Sequence, residues 1–430
     1  MVHALTSQTY ASQRNSSEFL FSPAAASEDY VLSPEQDTFV NAVLHEATTA
    51  AEQADFACTA RALLGQPGTG KSATLHGLLR RMSDLGLAAV ALSPTGVLAD
   101  AFRHFWQDVP GITVDTFDGY FYREDDGAVS PYRILGKALV IVDEVGYLGD
   151  ERFAYAIRCW QAAGRCCPLL FAGDFLQQSP PGGEKPANTH RLWSVVTEST
   201  LRQQHRANSS FSKLTAPLRH AWPTRRSLQQ LVGDRVLERS GEAAANFLAE
   251  HPRALCVAGR KARVREWNAA IADYLFQDHS KVSVPLLTQD SDGHWHREKQ
   301  PLCAGMRVMV TRNTNKTGGV VNGVFGVIHV IYSMQIGYSV LVRRDDGRII
   351  SVFQCWDEDH SCSGVPLTLG YCTTVAKIQG RTLDWILIDP DLCAPGVAYT
   401  AVTRVRQISR LYWLGRPLAK YFVPPALRNA

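Results

Sequence analysis

"LLGQPGTGKSATLHGLL", Leu63 to Leu79, reads as the end of a strand, a glycine-rich turn and the start of a helix. It fits G-x-x-x-x-G-K-[ST], with Gly65, Gly70, Lys71 and Ser72 in the defining places. Gly68 and Gly70 let the backbone turn its N–H groups inward with no Cβ in the way. Gly65, Gln66, Pro67, Gly68, Thr69 and Gly70 then form a cradle for phosphate oxygens. A helix from about Ser72 to Arg81 would place the positive end of its dipole beneath them. Lys71 would reach the β- and γ-phosphates, and the Ser72 hydroxyl would ligate Mg²⁺. The flanks supply the context this motif needs, an apolar "FACTARALLG" before it and an amphipathic helix after it.

The rest of the chain sets the limits on what surrounds that loop. With 430 residues the length allows two or three domains with full cores. Apolar content of 45% against 20% charged residues is that of an ordinary globular protein. No window approaches the ~18 uninterrupted apolar residues of a membrane span, so no membrane partner is expected. A balance of 44 basic to 41 acidic residues is too even to indicate nucleic acid by charge alone, and it leaves room for a local basic groove. Ten cysteines, among them Cys58, Cys159, Cys303 and Cys393, include no C-x-x-C pair. That spread points to a reducing, intracellular compartment, with cytoplasm, nucleus and organelle left open. "CWDEDHSC", Cys355 to Cys362 with His360, matches no standard zinc spacing.

Residues 1–30 are rich in Ser and Ala without periodicity and read as a disordered leader. The lack of acidic residues before Glu18 leaves a transit peptide open, although Arg14 is the segment's one arginine. From Leu32 the pattern is α/β. "LSPEQDTFVNAVLHEA" is a helix with Ser33 as N-cap and Pro34 in its first position. After the phosphate loop, "LAAVALSPTGVLADAF" gives a strand at Leu87–Leu92 and a helix, "KALVIVDEVGYLGDE" an uninterrupted apolar strand, and "CPLLFAGDFLQQSPPGG" another. Strands alternating with helices predict a parallel, doubly wound sheet, with ligands beyond the carboxyl ends of its strands.

The polar residues of note stand at those ends. Asp143 can hold Mg²⁺, and the adjacent Glu144 can orient or deprotonate an attacking water. Gln177, shortly after Asp174, can sense the γ-phosphate. The chain then starts afresh with "LRQQHRANSSF" and a second series of apolar strands, "RALCVAGR", "MRVMVTRN" and "WILIDP". In that half Arg206 and Arg404 are candidates to reach toward the γ-phosphate and stabilise transition-state charge.

Eleven segments in order carry a resemblance: "SPEQDTFV", "GQPGTGKS", "SPTGVLADAF", "TVDTFDGYF", "VIVDEVG", "FAGDFLQQSPP", "LRQQHRA", "GMRVMVTRN", "VVNGVFGVI", "YCTTVAKIQGRTLD" and "AYTAVTRV". Together they resemble the Pif-type and RecD-like helicases of superfamily 1, subgroup B, from about Leu32 to about Arg406. The resemblance implies two RecA-like P-loop NTPase domains, parallel sheets flanked by helices, over residues 31–200 and 201–430. It also implies a short wedge insertion at about 118–137 and a small β-barrel insertion at about 323–362, with Asp346-Gly347 as a hairpin turn. Gln36 would read the adenine edge. Lys71, Ser72, Asp143 and Glu144 would bind and hydrolyse ATP with Mg²⁺, joined by Gly380, while Gln177, Arg206 and Arg404 would couple the phosphate to domain closure. Thr95, Gly96, Thr116, Phe117, Thr374 and Lys377 lie where the family touches the strand, hydroxyls and amides on phosphates and a ring on a base.

The chain departs from the family pattern at Ala376 and Ile378, which replace a His and a Ser, at Asp115 for a His, and at Gln178 and Ser179 for Leu and Pro. The departures touch strand-facing segments more than ATP-facing ones. The expected activity is an ATP-dependent 5′-to-3′ helicase or translocase on single-stranded DNA or a forked duplex, working as a monomer in replication, repair or recombination. Its polarity rests on the resemblance alone. An RNA helicase of the same superfamily and an ATP-dependent switch that unwinds nothing are the alternatives.

Overall fold

A computed structural model describes residues 3–5, 31–106, 109–121, 129–177, 179–205, 209–290, 293–335, 337–392 and 394–426. The chain folds as two compact units, one of Pro23–Pro223, Pro395–Gln407 and Phe422–Ala430, the other of Met1–Ser22, Thr224–Ala394 and Ile408–Tyr421.

The unit with the phosphate loop opens on α1 (Pro34–Glu52). Ser33 accepts from the Gln36 N–H while the Gln36 side chain accepts from the Ser33 N–H, a capping box with Pro34 in the first turn. Strands and helices then alternate: β1 (Ala60–Gly65), α2 (Lys71–Asp84), β2 (Ala89–Ser93), α3 (Gly96–Trp106), β3 (Ile112–Thr116), α4 (Phe117–Phe121), β4 (Leu139–Val142), α5 (Asp150–Ala162), β5 (Leu169–Gly173), β6 (Val196–Leu201) and α6 (Ser209–Thr215). The six strands form one parallel sheet in the order β3-β2-β4-β5-β1-β6. Helices cover both faces, which is why "LVIV" is apolar throughout. Leu139 and Ile141 join Val40, Val43, Leu75 and Leu79 in one core, and Val140 and Val142 join Phe153, Ile157 and Trp160 in the other. The expected wedge is described at its two ends only, where the Tyr120 hydroxyl donates to the Arg133 carbonyl at 2.6 Å.

In the second unit α7 (Arg225–Val232), β7 (Val236–Leu237), α8 (Gly241–Glu250), β8 (Ala254–Ala258) and α9 (Lys261–Leu275) precede a run of antiparallel strands. These are β9 (Val282–Gln289), β10 (Trp295–Leu302), β11 (Arg307–Val310), β12 (Phe325–Met334), β13 (Gly337–Arg344), β14 (Ile349–Phe353), β15 (Cys355–Asp357), β16 (Cys362–Gly364) and β17 (Leu367–Leu369). The chain then returns through β18 (Cys372–Thr374), β19 (Trp385–Ile388), α10 (Val397–Val402) and β20 (Leu411–Leu414), of which α10 packs in the first unit. A parallel sheet runs β18-β8-β19-β20-β7, and an antiparallel one β14-β13-β12-β11-β17, with His3–Leu5 paired to β12. The antiparallel sheet reaches beyond the span 323–362, since it draws on β11 and β17 outside it. Among the described residues no pairing joins β14 to β17, so the pairing is that of an open sheet. The Asp346-Gly347 turn links β13 to β14, with Gly347 at φ 86° and its N–H on the Arg344 carbonyl at 2.9 Å. Among the described residues no helix is long and apolar enough to cross a membrane.

Two segments read from sequence as part of the second half pack with the first. Leu201 ends β6 beside Gly65, Arg219 reaches Asp174, and the segment from Pro395 to Gln407 carries Arg404 into the same unit as the phosphate loop.

Candidate active site

The glycine loop joins β1 to α2, and its shape follows from its residues. Gly68 and Gly70 sit at φ 89° and 84°, the left-handed region that a Cβ disfavours. A Cβ on Gly70 would also lie 2.3 Å from the Gln36 amide nitrogen. Thr69 Oγ1 donates to the Gln66 carbonyl at 2.9 Å, and the His205 N–H holds the Gly68 carbonyl at 2.8 Å. Lys71 is buried, with its Nζ 2.7 Å from the Gly65 carbonyl and 3.1 Å from that of Gln66. The ammonium is thus folded over the mouth of the loop, where a bound phosphate would displace those carbonyls. Ser72, in the first turn of α2, is exposed.

Gln36 stands nearby, in the first turn of α1. Its oxygen closes the capping box at 2.9 Å, and its nitrogen faces the Thr69 and Gly70 carbonyls at 3.4 and 3.5 Å. One end of the amide thus closes the start of α1 while the other faces the loop.

Asp143 and Glu144 follow β4 at its carboxyl end. Burial, and then the neighbouring Glu144 charge, push the Asp143 carboxyl from 3.8 up to about 7, opposed by the Glu144 N–H at 2.9 Å and the Lys71 charge. Glu144 has a left-handed backbone, φ 54° and ψ 44°, which costs an L-residue about 1–2 kcal/mol. Two residues on, the chain passes close to the end of β5, where a Cβ on Gly146 would meet the Asp174 carbonyl at 2.4 Å. Glu144 Oε2 is buried with no hydrogen-bond partner among the described residues. Two crowded carboxylates, one orphaned oxygen and the exposed Ser72 hydroxyl are a donor set that suits a hard dication such as Mg²⁺. Ser72 and Asp143 would hold it, and its charge would relieve the acidic pair.

After β5, Asp174 is 4% exposed and fully engaged. Its Oδ1 accepts from the Leu176 N–H at 3.0 Å and Arg219 Nη2 at 2.9 Å, and its Oδ2 from Arg219 Nη1 at 2.7 Å. Arg219 Nη1 also donates to the Tyr399 hydroxyl at 2.9 Å, and the guanidinium lies 5.3 Å from that ring's centre. Burial disfavours the Arg219 charge, yet the Asp174 carboxylate holds the guanidinium above its usual range. Gln177 is buried, and its Oε1 accepts from Arg404 Nη2 at 3.1 Å. Arg404 Nε donates to the Thr400 carbonyl at 2.9 Å. Burial lowers the Arg404 guanidinium, with Glu144 the largest opposing charge.

The structure thus brings Gly65 to Ser72, Gln36, Asp143, Glu144, Gln177 and Arg404 into one unit. Arg206 lies outside the described residues, as does Gln178. Gly380, at φ 74°, Thr374 and Lys377 belong to the other unit, where Lys377 Nζ donates to Asn322 Oδ1 at 2.8 Å. Burial and then the Lys261 charge lower the Lys377 ammonium to about 8. Gly96 opens α3 just after Thr95, whose hydroxyl is buried with no partner among the described residues. Thr116 Oγ1 caps the following turn, accepting from the Gly119 N–H at 3.0 Å. Phe117 is a correction: it is 1% exposed, its ring 4.8 Å from that of Phe121 in the core, so it offers no face for stacking on a base. A ring directly after β3 packs inward because α4 turns it under the sheet. The sequence reading missed Arg219 and Tyr399. "PLRHAW" carries no motif, and their partners lie 45 and 180 positions away.

A family described as an AAA domain matches residues 32–230. The ATP-dependent DNA helicase Pif1 of Bdellovibrio bacteriovorus is 24% identical over 82% of the chain and 83% of that protein. The ATP-dependent RecD2 DNA helicase of Deinococcus radiodurans is 24% identical over 80% of the chain, which spans 45% of that relative. A crystal structure of Bacteroides Pif1 with ADP-AlF3 and single-stranded DNA superposes with a TM-score of 0.67 at 18% identity, covering 92% of this chain and 95% of that one. Pif1 from Candida albicans gives 0.65 at 17%, covering 92% and 97%. The fold is that of these structures, with RecA-like parallel sheets flanked by helices, and the resemblance read from the motifs holds in sequence and in fold.

Proposed function

We propose that this Pif-like superfamily 1 chain is an ATP-dependent helicase and translocase that moves 5′ to 3′ on single-stranded DNA and opens forked duplexes. The observation that supports it most is the meeting of the phosphate loop, the Asp143–Glu144 pair and the Gln177–Arg404 pair within one unit. In that arrangement the loop amides and Lys71 hold the triphosphate, and Ser72 and Asp143 would hold Mg²⁺, which would neutralise phosphate charge. Glu144 orients the water for in-line attack and accepts its proton. Arg404 stabilises the charge that develops on the γ-phosphoryl group, with Gln177 setting its direction. Thr95, Thr116, Thr374 and Lys377 contact the phosphates of the strand.

DNA is the strand favoured over RNA, because the relatives on which the reading leans are named DNA helicases. The test is the steady-state ATPase rate alone, with a poly-dT oligonucleotide and with the matching RNA. Strong stimulation by DNA supports the proposal and leads to polarity assays on tailed duplexes. Equal or greater stimulation by RNA would replace the substrate, and stimulation by neither would leave a nucleotide-dependent switch.

A further inference from the structure

We infer that Arg219 is a positioning residue for ATP hydrolysis, a clamp that sets Arg404 and Gln177 by tying Asp174 to Tyr399. The inference rests on the helicase reading of this site and adds to it a residue outside every motif used above. The Asp174–Gln177 turn and the Tyr399–Arg404 segment meet through two bridges. At one end Arg404 Nη2 bonds to Gln177 Oε1 at 3.1 Å. At the other, Arg219 spans both partners, bidentate on Asp174 at 2.7 and 2.9 Å and on the Tyr399 hydroxyl at 2.9 Å. The first bridge joins the groups proposed to act at the γ-phosphate. The second touches neither, so its role is to hold the frame on which they sit.

Three features suit Arg219 to this task. All of its cluster is inside: Arg219 is 8% exposed, Asp174 4% and Tyr399 3%. A planar guanidinium bonds a carboxylate through two parallel N–H groups, which fixes direction as well as distance, where an ammonium would fix distance alone. Tyr399 is a neutral acceptor, since burial pushes its phenol up to about 12. Its ring also lies against the guanidinium at 5.3 Å. Tyr399 and Thr400 share α10, and the Thr400 carbonyl in turn holds Arg404 Nε at 2.9 Å. The chain of contacts therefore runs from the end of β5 through Arg219 to α10 and on to the Arg404 side chain. Losing the clamp frees α10 to shift, and a misplacement of about 1 Å in a reacting group lowers a rate by on the order of 10²-fold.

The test compares Arg219→Met, Arg219→Lys and Tyr399→Phe with wild type in DNA-stimulated ATPase assays. A fluorescent ADP analogue monitors the phosphate loop and circular dichroism the fold. Arg219→Met should lower kcat by on the order of 10²-fold, with the KM for ATP and analogue affinity within about threefold of wild type. Arg219→Lys should recover part of that loss. Tyr399→Phe, which keeps the ring and the packing, should lower kcat by roughly tenfold with an unchanged melting curve, so the inference can be tested even if Arg219→Met does not fold. In a Gln177→Ala background Arg219→Met should add little, because both act through the placement of Arg404. A hydrolysing wild type whose Tyr399→Phe variant keeps its kcat, or losses at Arg219 that fall on KM and analogue binding, would overturn this inference and leave the helicase reading standing. A wild type that hydrolyses no ATP would end that reading and this inference with it.

Discussion

Lys377 offers a test in which one side chain moves two measurements in opposite directions. Its ammonium bonds Asn322 Oδ1 at 2.8 Å, and burial followed by the Lys261 charge lowers it from 10.5 to about 8. If it grips a phosphate of the strand, only the charged form does so. The charged fraction falls from about nine-tenths at pH 7 to about one-tenth at pH 9. The dissociation constant for a labelled dT oligonucleotide should therefore rise by up to roughly ninefold over that interval. The salt dependence of binding should lose about 0.7 from its logarithmic slope, the share of one phosphate contact on a single strand. Lys377→Arg should bind with little change between pH 7 and 9, because a guanidinium stays charged throughout. Stability runs the other way. Between about 8 and 10.5 the unfolded chain holds a proton on this lysine that the fold does not, so the DNA-free protein gains stability as pH rises through that window. The full contribution is on the order of 3 kcal/mol. Fluorescence anisotropy and thermal melts across pH 7 to 10, on wild type and Lys377→Arg, measure both. A pH dependence of binding that Lys377→Arg keeps would refute the argument.

Three further perturbations address the ATP site and the core. Glu144→Gln should retain nucleotide binding and slow turnover by about 10²–10⁴-fold, the usual contribution of a general base, as read by single-turnover hydrolysis. Arg404→Ala should lower kcat by on the order of 10³-fold or more with nucleotide affinity nearly intact; a collapse of binding with normal turnover per bound ATP would remove the role assigned to it. Phe117→Ala should destabilise the protein by about 3–5 kcal/mol in denaturant titrations while Phe117→Leu binds the strand as wild type does, and a specific loss of strand affinity in the leucine variant would return Phe117 to the DNA-binding surface.

What the sequence determined by itself is local. The glycine loop could be read because four residues within eight positions define its motif, and Gly68 and Gly70 take left-handed angles that a Cβ disfavours. "LVIV" declared a strand covered on both faces, and Ser33 and Pro34 marked the start of α1, since a cap and a first-turn proline are neighbours in the chain. The order of motifs carried the likeness to helicases. Tertiary structure decided how distant residues are used. The Gln36 amide faces two loop carbonyls 33 and 34 positions away, and Phe117 turned inward because α4 folds under the sheet. Glu144 takes a left-handed backbone two residues before Gly146 passes close over Asp174, an arrangement that no spacing encodes. Arg219 and Arg404 find partners 45, 180 and 227 positions away. Hydrophobic period and turn chemistry are written in neighbouring residues, whereas a buried ion pair is fixed only when the sheet brings its two ends together, so the clamp on Asp174 had to be seen in the fold.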